Sequence, residues 1–238
     1  MTDLSPAQET VIYDDAAAHW WDDSVRWVRT LKAMVPARLA AFERAGAAWP
    51  GREVLDLGCA GGFMAEEMTR RGARVEGIDP SAAALRAAEA HAAAEGLAIA
   101  YREGVGEDLP YAAGRFDAVV CVDVLEHVRD LDAVLAEVRR VLRPGGLFLF
   151  DTINRTPLAR FAVVTAAERW LGLLPRGAHD PALFIRPREL RAKLDALGFE
   201  TGRFEGLGPT GLGRRWDLRF GRHPGTAVVY LGTARKRG

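Results

Sequence analysis

Two groups of residues in this chain have the types and spacing to do chemistry. The first is Asp56 with Asp79. Asp56 lies in the run Glu53-Val54-Leu55-Asp56-Leu57, which breaks into Gly58-Cys59-Ala60-Gly61-Gly62; Asp79 ends a second run, Arg74-Val75-Glu76-Gly77-Ile78-Asp79. A first strand that breaks into a glycine turn and a helix N-terminus makes a nucleotide-sized crevice in an open α/β sheet, and an acid about 20 residues further on can accept both ribose hydroxyls. The commoner fate of a single Asp is a turn or a cap, but two at this spacing favour a ligand. The second group is Asp123, Glu126 and His127 within Val122-Asp123-Val124-Leu125-Glu126-His127-Val128. A helical segment would bring these three to one face, where two carboxylates and an imidazole can hold a divalent metal such as Mg2+. The plain alternative is a histidine that packs locally. His127 could also serve as a general base, as could His179 in Gly177-Ala178-His179-Asp180, whose default is loop structure. No Ser/His/Asp or Cys/His set presents itself as a nucleophile.

The glycine turn separates two ligands. A dinucleotide fingerprint needs glycines at its first, third and sixth positions, and counted from Gly58 these are Gly58, Ala60 and Phe63. The dinucleotide fails there. Asp56 would also repel a pyrophosphate, yet it suits an ammonium group. S-adenosylmethionine fits both acids.

The elements that must position these residues alternate. Helical segments begin at Gly62, Ser81 and near Leu131; strands are expected at 53–57, 74–79, 97–101, 116–121 and 147–150. Ser81 is a plausible N-cap. Such alternation calls for a doubly wound, mostly parallel α/β sheet. Residues 1–50 read as a helical lid carrying Trp20, Trp21 and Trp27, broken by Pro36 and Gly46. Residues 51–152 form the cofactor-binding core, 153–190 a substrate- or membrane-facing insertion, and 191–238 a closing helix and strands, with 199–205 and 226–233 as a hairpin-like pair. With no internal repeat and no long linker, one domain over 1–238 is the economical reading.

Composition narrows the setting. Lys plus Arg number 32 and Asp plus Glu 32 in 238 residues, so no global field invites nucleic acid. Two cysteines are too few for a disulfide framework, and no signal peptide is visible, so a cytoplasmic protein is expected. Leu158 to Leu174 would make a helix roughly 25 Å long, short of a membrane span and interrupted by Arg160, Glu168 and Arg169. Ala159, Ala162, Val163, Ala166, Trp170, Leu173 and Leu174 would share one face. With Arg155 and Arg176 flanking it, the segment suits either peripheral contact with an anionic membrane or a lid over the pocket.

Motif by motif, the chain resembles the class I S-adenosylmethionine-dependent methyltransferases. Asp56-Leu57-Gly58-Cys59-Ala60-Gly61-Gly62 looks like their first motif and Asp79 like their ribose-binding acid. Gly106-Glu107-Asp108-Leu109-Pro110-Tyr111 looks like the loop beside the adenine, and Arg143-Pro144-Gly145-Gly146 like the turn before strand five. This resemblance implies a Rossmann-like, seven-stranded sheet with two late strands, one antiparallel. Trp20-Trp21-Asp22, Pro36-Ala37-Arg38-Leu39, Glu126-His127, Ile153-Asn154-Arg155, Pro175 to Asp180 and Phe184-Ile185-Arg186-Pro187 further resemble the ubiquinone-biosynthesis O-methyltransferases. That family implies methyl transfer to a phenolic or catechol hydroxyl of a polyprenyl quinol precursor. It implies cofactor contacts at Arg38, Gly58, Asp79 and Val122, to which the class I motifs add Asp56, Gly62, Gly106 and Glu107, and it implies metal ligation by Asp123, Glu126 and His127. Asp123 stands where the family carries a Glu. Two further readings stay open: the same chemistry on a soluble aromatic metabolite, and a non-catalytic cofactor-binding partner in a biosynthetic complex. The oligomeric state has no signal in the sequence.

Overall fold

Alternating aliphatic runs put every second side chain of a strand on the opposite face, and here they build one twisted mixed sheet. The computed structural model describes residues 19–213 and 216–238, so the helical reading of 1–18 lies outside the described residues. The strands are β1 (Glu53–Leu57), β2 (Arg74–Asp79), β3 (Ala100–Glu103), β4 (Phe116–Cys121), β5 (Leu142–Ile153), β6 (Phe199–Thr201), β7 (Glu205–Leu212), β8 (Leu218–His223) and β9 (Val229–Lys236). Their order is β3-β2-β1-β4-β5-β9-β7-β8, with β6 also on β9. The first five run parallel, and β9 lies antiparallel against β5. Chain order reverses between β1 and β4, so the crevice opens at their C-terminal ends.

Among the described residues the sheet has nine strands rather than the expected seven, for two local reasons. β6 and β7 both pair with β9, as two pieces of one edge strand interrupted at 202–204. β8 is an added hairpin strand on β7.

Helices cover both faces. They are α1 (Arg26–Arg44), α2 (Phe63–Arg70), α3 (Ala82–Ala94), α4 (Leu131–Val141), α5 (Pro157–Arg160) and α6 (Pro187–Ala196). Val54, Val120 and Leu149 face a core layer with Val35, Leu39 and Phe42 of α1 and Met64 and Met68 of α2. Their neighbours Leu55, Val119 and Phe148 face the other layer, with Val134, Leu135 and Val138 of α4 and Leu190 and Leu194 of α6. Ser81 caps α3 as expected, its hydroxyl accepting from Ala84 N at 3.1 Å. Pro36, read as a breaker, sits inside α1. Burial of Val35, Leu39 and Phe42 on either side of it outweighs the one lost hydrogen bond.

Two segments differ from the sequence reading in ways that bear on the site. Residues 122–128 form turns rather than a helix, and Asp123 has φ +54°, which no α-helix accommodates. The 158–174 segment is α-helical only over α5, then continues as a π-helix over Phe161–Trp170. Hydrogen bonding from i to i+5 adds residues to each turn and rotates the faces. Ala159, Val163 and Glu168 are therefore the residues turned inward, while Trp170 is 67% exposed.

Candidate active site

The turn after β1 is built from backbone. Gly58 has φ +72°, and a Cβ there would collide with the Val124 side chain; Gly62 has φ +86°, and a Cβ would collide with the Tyr101 hydroxyl. Only glycine meets both demands at either position. Gly58 and Cys59 donate their N–H groups to Ile78 O at 2.8 and 3.1 Å, tying the turn to the end of β2. Asp79 secures it further. One carboxylate oxygen accepts from Ala60 N and the other from Ser81 N, both at 2.9 Å.

Asp56 is 1% exposed, and its Oδ2 has no hydrogen-bond partner among the described residues. Burial pushes its carboxyl up to about 7; the Ala65 backbone N–H opposes the shift, Asp79 adds to it and Arg38 opposes it. An orphaned acceptor at the rim of a ligand crevice is the place for a donor from the ligand.

Beside it lies a buried ionic cluster. Arg38 on α1, 3% exposed, donates from Nε to Asp151 Oδ2 at 2.6 Å and from Nη2 to Asp123 Oδ2. Asp151, fully buried at the end of β5, also accepts from the Asp123 backbone N–H at 2.8 Å. Burial works against the charge on Arg38, but the two carboxylates outweigh it and push its pKa up. Burial likewise raises Asp151 to about 7, against Arg38 and with Asp123.

A third group lies in the turn after β4 and the loop after the π-helix. Glu126, 1% exposed, accepts from Thr152 Oγ1 at 2.7 Å through Oε2, while Oε1 has no hydrogen-bond partner among the described residues. Burial and then Asp123 push its carboxyl up to about 8, so the buried group favours its neutral form. The His127 ring lies 5.0 Å from that of His179. Burial, then His179, pushes His127 down to about 3 against the pull of Asp123, which keeps it neutral. His179 Nδ1 is held at 2.8 Å by Glu168 Oε1, and Glu168 Oε2 accepts from Gly177 N at 2.8 Å.

These groups meet one cavity of about 760 Å3. Arg38, Asp56, Gly58, Asp79, Val122, Asp123, His127 and His179 all line it. Gly62, Gly106, Glu107 and Glu126 are absent from its wall. Gly106 sits close under Val134, and Glu107 accepts from Arg129 N at 2.9 Å, which fastens the loop before α4. Among the described residues, the divalent-metal donors that converge are Glu126, His127 and His179, within 4.8 Å of one another. Asp123 is not in that group, because its carboxylate is turned to Arg38. Sequence reasoning missed Asp151 and Glu168. Asp151 carried the same signal as Asp79, an acid at the end of a strand.

The comparisons with known proteins agree with this geometry. Residues 55–150 match the family model described as a methyltransferase domain. The chain is 36% identical to a ubiquinone biosynthesis O-methyltransferase of Methylobacterium sp. (strain 4-46), over 97% of this chain and 95% of the relative. It is 41% identical to one from Pseudomonas aeruginosa (strain UCBPP-PA14), over 86% and 88%. In fold it is similar to the crystal structure of an S-adenosylmethionine-dependent methyltransferase from Thermotoga maritima, with TM-score 0.67, 17% identity, and coverage of 96% and 100%. The sequence relatives match along nearly the whole chain: it belongs to the ubiquinone biosynthesis O-methyltransferase family and is an S-adenosylmethionine-dependent methyltransferase.

Proposed function

We propose that this enzyme methylates a phenolic hydroxyl of a catechol carried on a polyprenyl chain. The observation that carries the reading is the continuity of the cavity. It runs from the acids Asp56 and Asp79 past His127 and His179 to an apolar mouth of Leu158, Phe161, Leu171, Leu212 and Trp216. A ring with a hydrocarbon tail matches that sequence of surroundings, and the names of the close relatives point to the same chemistry.

S-adenosylmethionine supplies a methyl group on a sulfonium, to be displaced in line by an oxygen. The chain's own residues orient the partners and take the proton. Asp56 offers its orphaned oxygen to an ammonium group, Asp79 stands at the ribose end, Arg38 can meet a carboxylate, and Val122 shapes the wall. His179 is the better base of the two histidines. Its Nδ1 is engaged by the buried Glu168 carboxylate, which fixes the ring and leaves Nε2 for the acceptor hydroxyl. His127, buried and neutral, lines the cavity beside it.

Among the described residues, Glu126, His127 and His179 would be the ones to hold a divalent metal, and with it bound His179 would be a ligand in place of the base. Such an ion would lower the pKa of an acceptor hydroxyl. Two imidazoles with one carboxylate suit Zn2+ or Mn2+ better than Mg2+.

No helix among the described residues is long and apolar enough to cross a membrane. The exposed Leu158, Phe161, Trp170 and Leu171 on the 158–174 segment, with Leu212 and Trp216 across the mouth, support peripheral contact with the cytoplasmic face of a bilayer. The same segment lines the cavity through Ala162, Val163 and Ala166, so it also covers the acceptor. A panel of prenylated catechols and soluble phenols tests the reading. Turnover confined to soluble phenols would replace it with a soluble-metabolite enzyme, and cofactor binding without any transfer would replace it with a non-catalytic partner.

A further inference from the structure

The cofactor's amino-acid end carries a carboxylate that must be paired in a low-dielectric crevice. Among the described residues, two arginines line the cavity. Arg26 is at the mouth, donating to Leu171 O, and Arg38 is buried within field of Asp56. Arg38 is thus the cation placed for the cofactor's carboxylate, yet its fork is already engaged by two carboxylates. These two differ in what holds them. Asp151 is fully buried and tied a second time, through the Asp123 backbone N–H. The Asp123 side chain is 27% exposed, lines the cavity and stands on a residue with φ +54°. One carboxylate is built in, and the other can leave.

We propose that Asp123 is a stand-in for the cofactor's carboxylate on Arg38, and that cofactor binding exchanges the one for the other and sends the Asp123 side chain toward the acceptor end of the cavity. The proposal rests on the reading of Arg38 as the cofactor's anchor. It gives Asp123 a role apart from metal ligation, in keeping with its separation from Glu126, His127 and His179. Because Arg38 must release Asp123 first, affinity is reduced by the fraction of molecules in which the pair is closed.

The test is calorimetry in chelator-treated buffer with two probes. S-adenosylhomocysteine carries the amino-acid tail; 5′-methylthioadenosine lacks it. Asp123→Asn is the informative variant, since Asn tolerates positive φ and keeps the shape while removing the charge. S-adenosylhomocysteine should bind about tenfold tighter to it, the scale of one charge-assisted hydrogen bond no longer surrendered, with methylthioadenosine affinity within about twofold of wild type. Ligand-free Asp123→Asn should also melt lower than wild type, with the gap closing when S-adenosylhomocysteine is bound. Unchanged or weaker S-adenosylhomocysteine binding overturns the exchange, as does a melting gap that persists in the complex. Arg38→Lys, which keeps the charge that Asp151 needs but loses the fork, separates the two failures. It should reduce the preference for S-adenosylhomocysteine over methylthioadenosine. If that preference is unchanged, the anchor reading falls; if it drops while Asp123→Asn gains nothing, only the exchange falls.

Discussion

Glu168 and His179 are joined by a hydrogen bond of 2.8 Å between Oε1 and Nδ1, with the carboxylate 1% exposed. Glu168 accepts twice, from His179 and from the Gly177 N–H. A glutamine has a single acceptor oxygen and would turn an amide N–H toward one of the two donors. Glu168→Gln should therefore lower kcat by about 10- to 100-fold with a small change in KM. Steady-state kinetics on a catechol acceptor, beside a circular dichroism check of the fold, reads this out. Unaltered kcat would make the pair purely structural.

Asp56 links stability to pH. Its carboxyl, ordinarily at 3.8, stands near 7 when folded, so between those values the folded chain binds more protons than the unfolded one. Its ionisation thus lowers stability as pH rises from about 4 to about 7. Asp56→Asn should gain on wild type in ligand-free stability by about 2 kcal/mol between about pH 4 and about pH 8, and should bind S-adenosylmethionine less tightly. Urea denaturation at the two pH values measures the first effect and calorimetry the second.

Gly58→Ala tests the turn. The new methyl meets Val124 and the backbone holds φ +72°, so a loss of about 1–3 kcal/mol is expected together with weakened cofactor binding. Thermal unfolding with and without S-adenosylhomocysteine checks it.

How much of this was legible in the sequence follows the range of each interaction. The glycine turn, Asp79 and the Ser81 cap are local, and their spacing along the chain gave them away. Arg38, Asp123 and Asp151 meet only because α1, the loop after β4 and the end of β5 converge, and no spacing encodes that. Asp123 was read on a helical face, but its positive φ turns the carboxylate to Arg38 and leaves His179 to join Glu126 and His127. Glu168 was read as a polar interruption because a 3.6-residue period was assumed; the π-helix makes it the inward residue. The added strand β8 escaped because Gly206, Gly208, Gly211, Gly213 and Gly221 break up the strand pattern on which such a reading depends.

Asp79→Ala removes the acceptor for both Ala60 N and Ser81 N. It should weaken S-adenosylmethionine binding by at least about tenfold, with about 1–2 kcal/mol lost from the ligand-free fold. Unchanged affinity by calorimetry would sink the ribose assignment.

Trp170 and Trp216, 67% and 75% exposed, test the membrane face. Replacing both with Ser should reduce co-sedimentation with phosphatidylglycerol vesicles, and Trp170→Ser alone, outside the cavity wall, should leave turnover of a short-chain acceptor in detergent within about twofold. Undiminished sedimentation would leave the segment as a lid alone.

The central claim is tested most directly by following labelled methyl from S-adenosylmethionine onto a short-chain prenylated catechol. The account predicts label on a phenolic oxygen of the prenylated compound, with slower transfer to the same catechol lacking its tail. Transfer that ignores the tail, or that reaches soluble phenols and never the prenylated catechol, would contradict it.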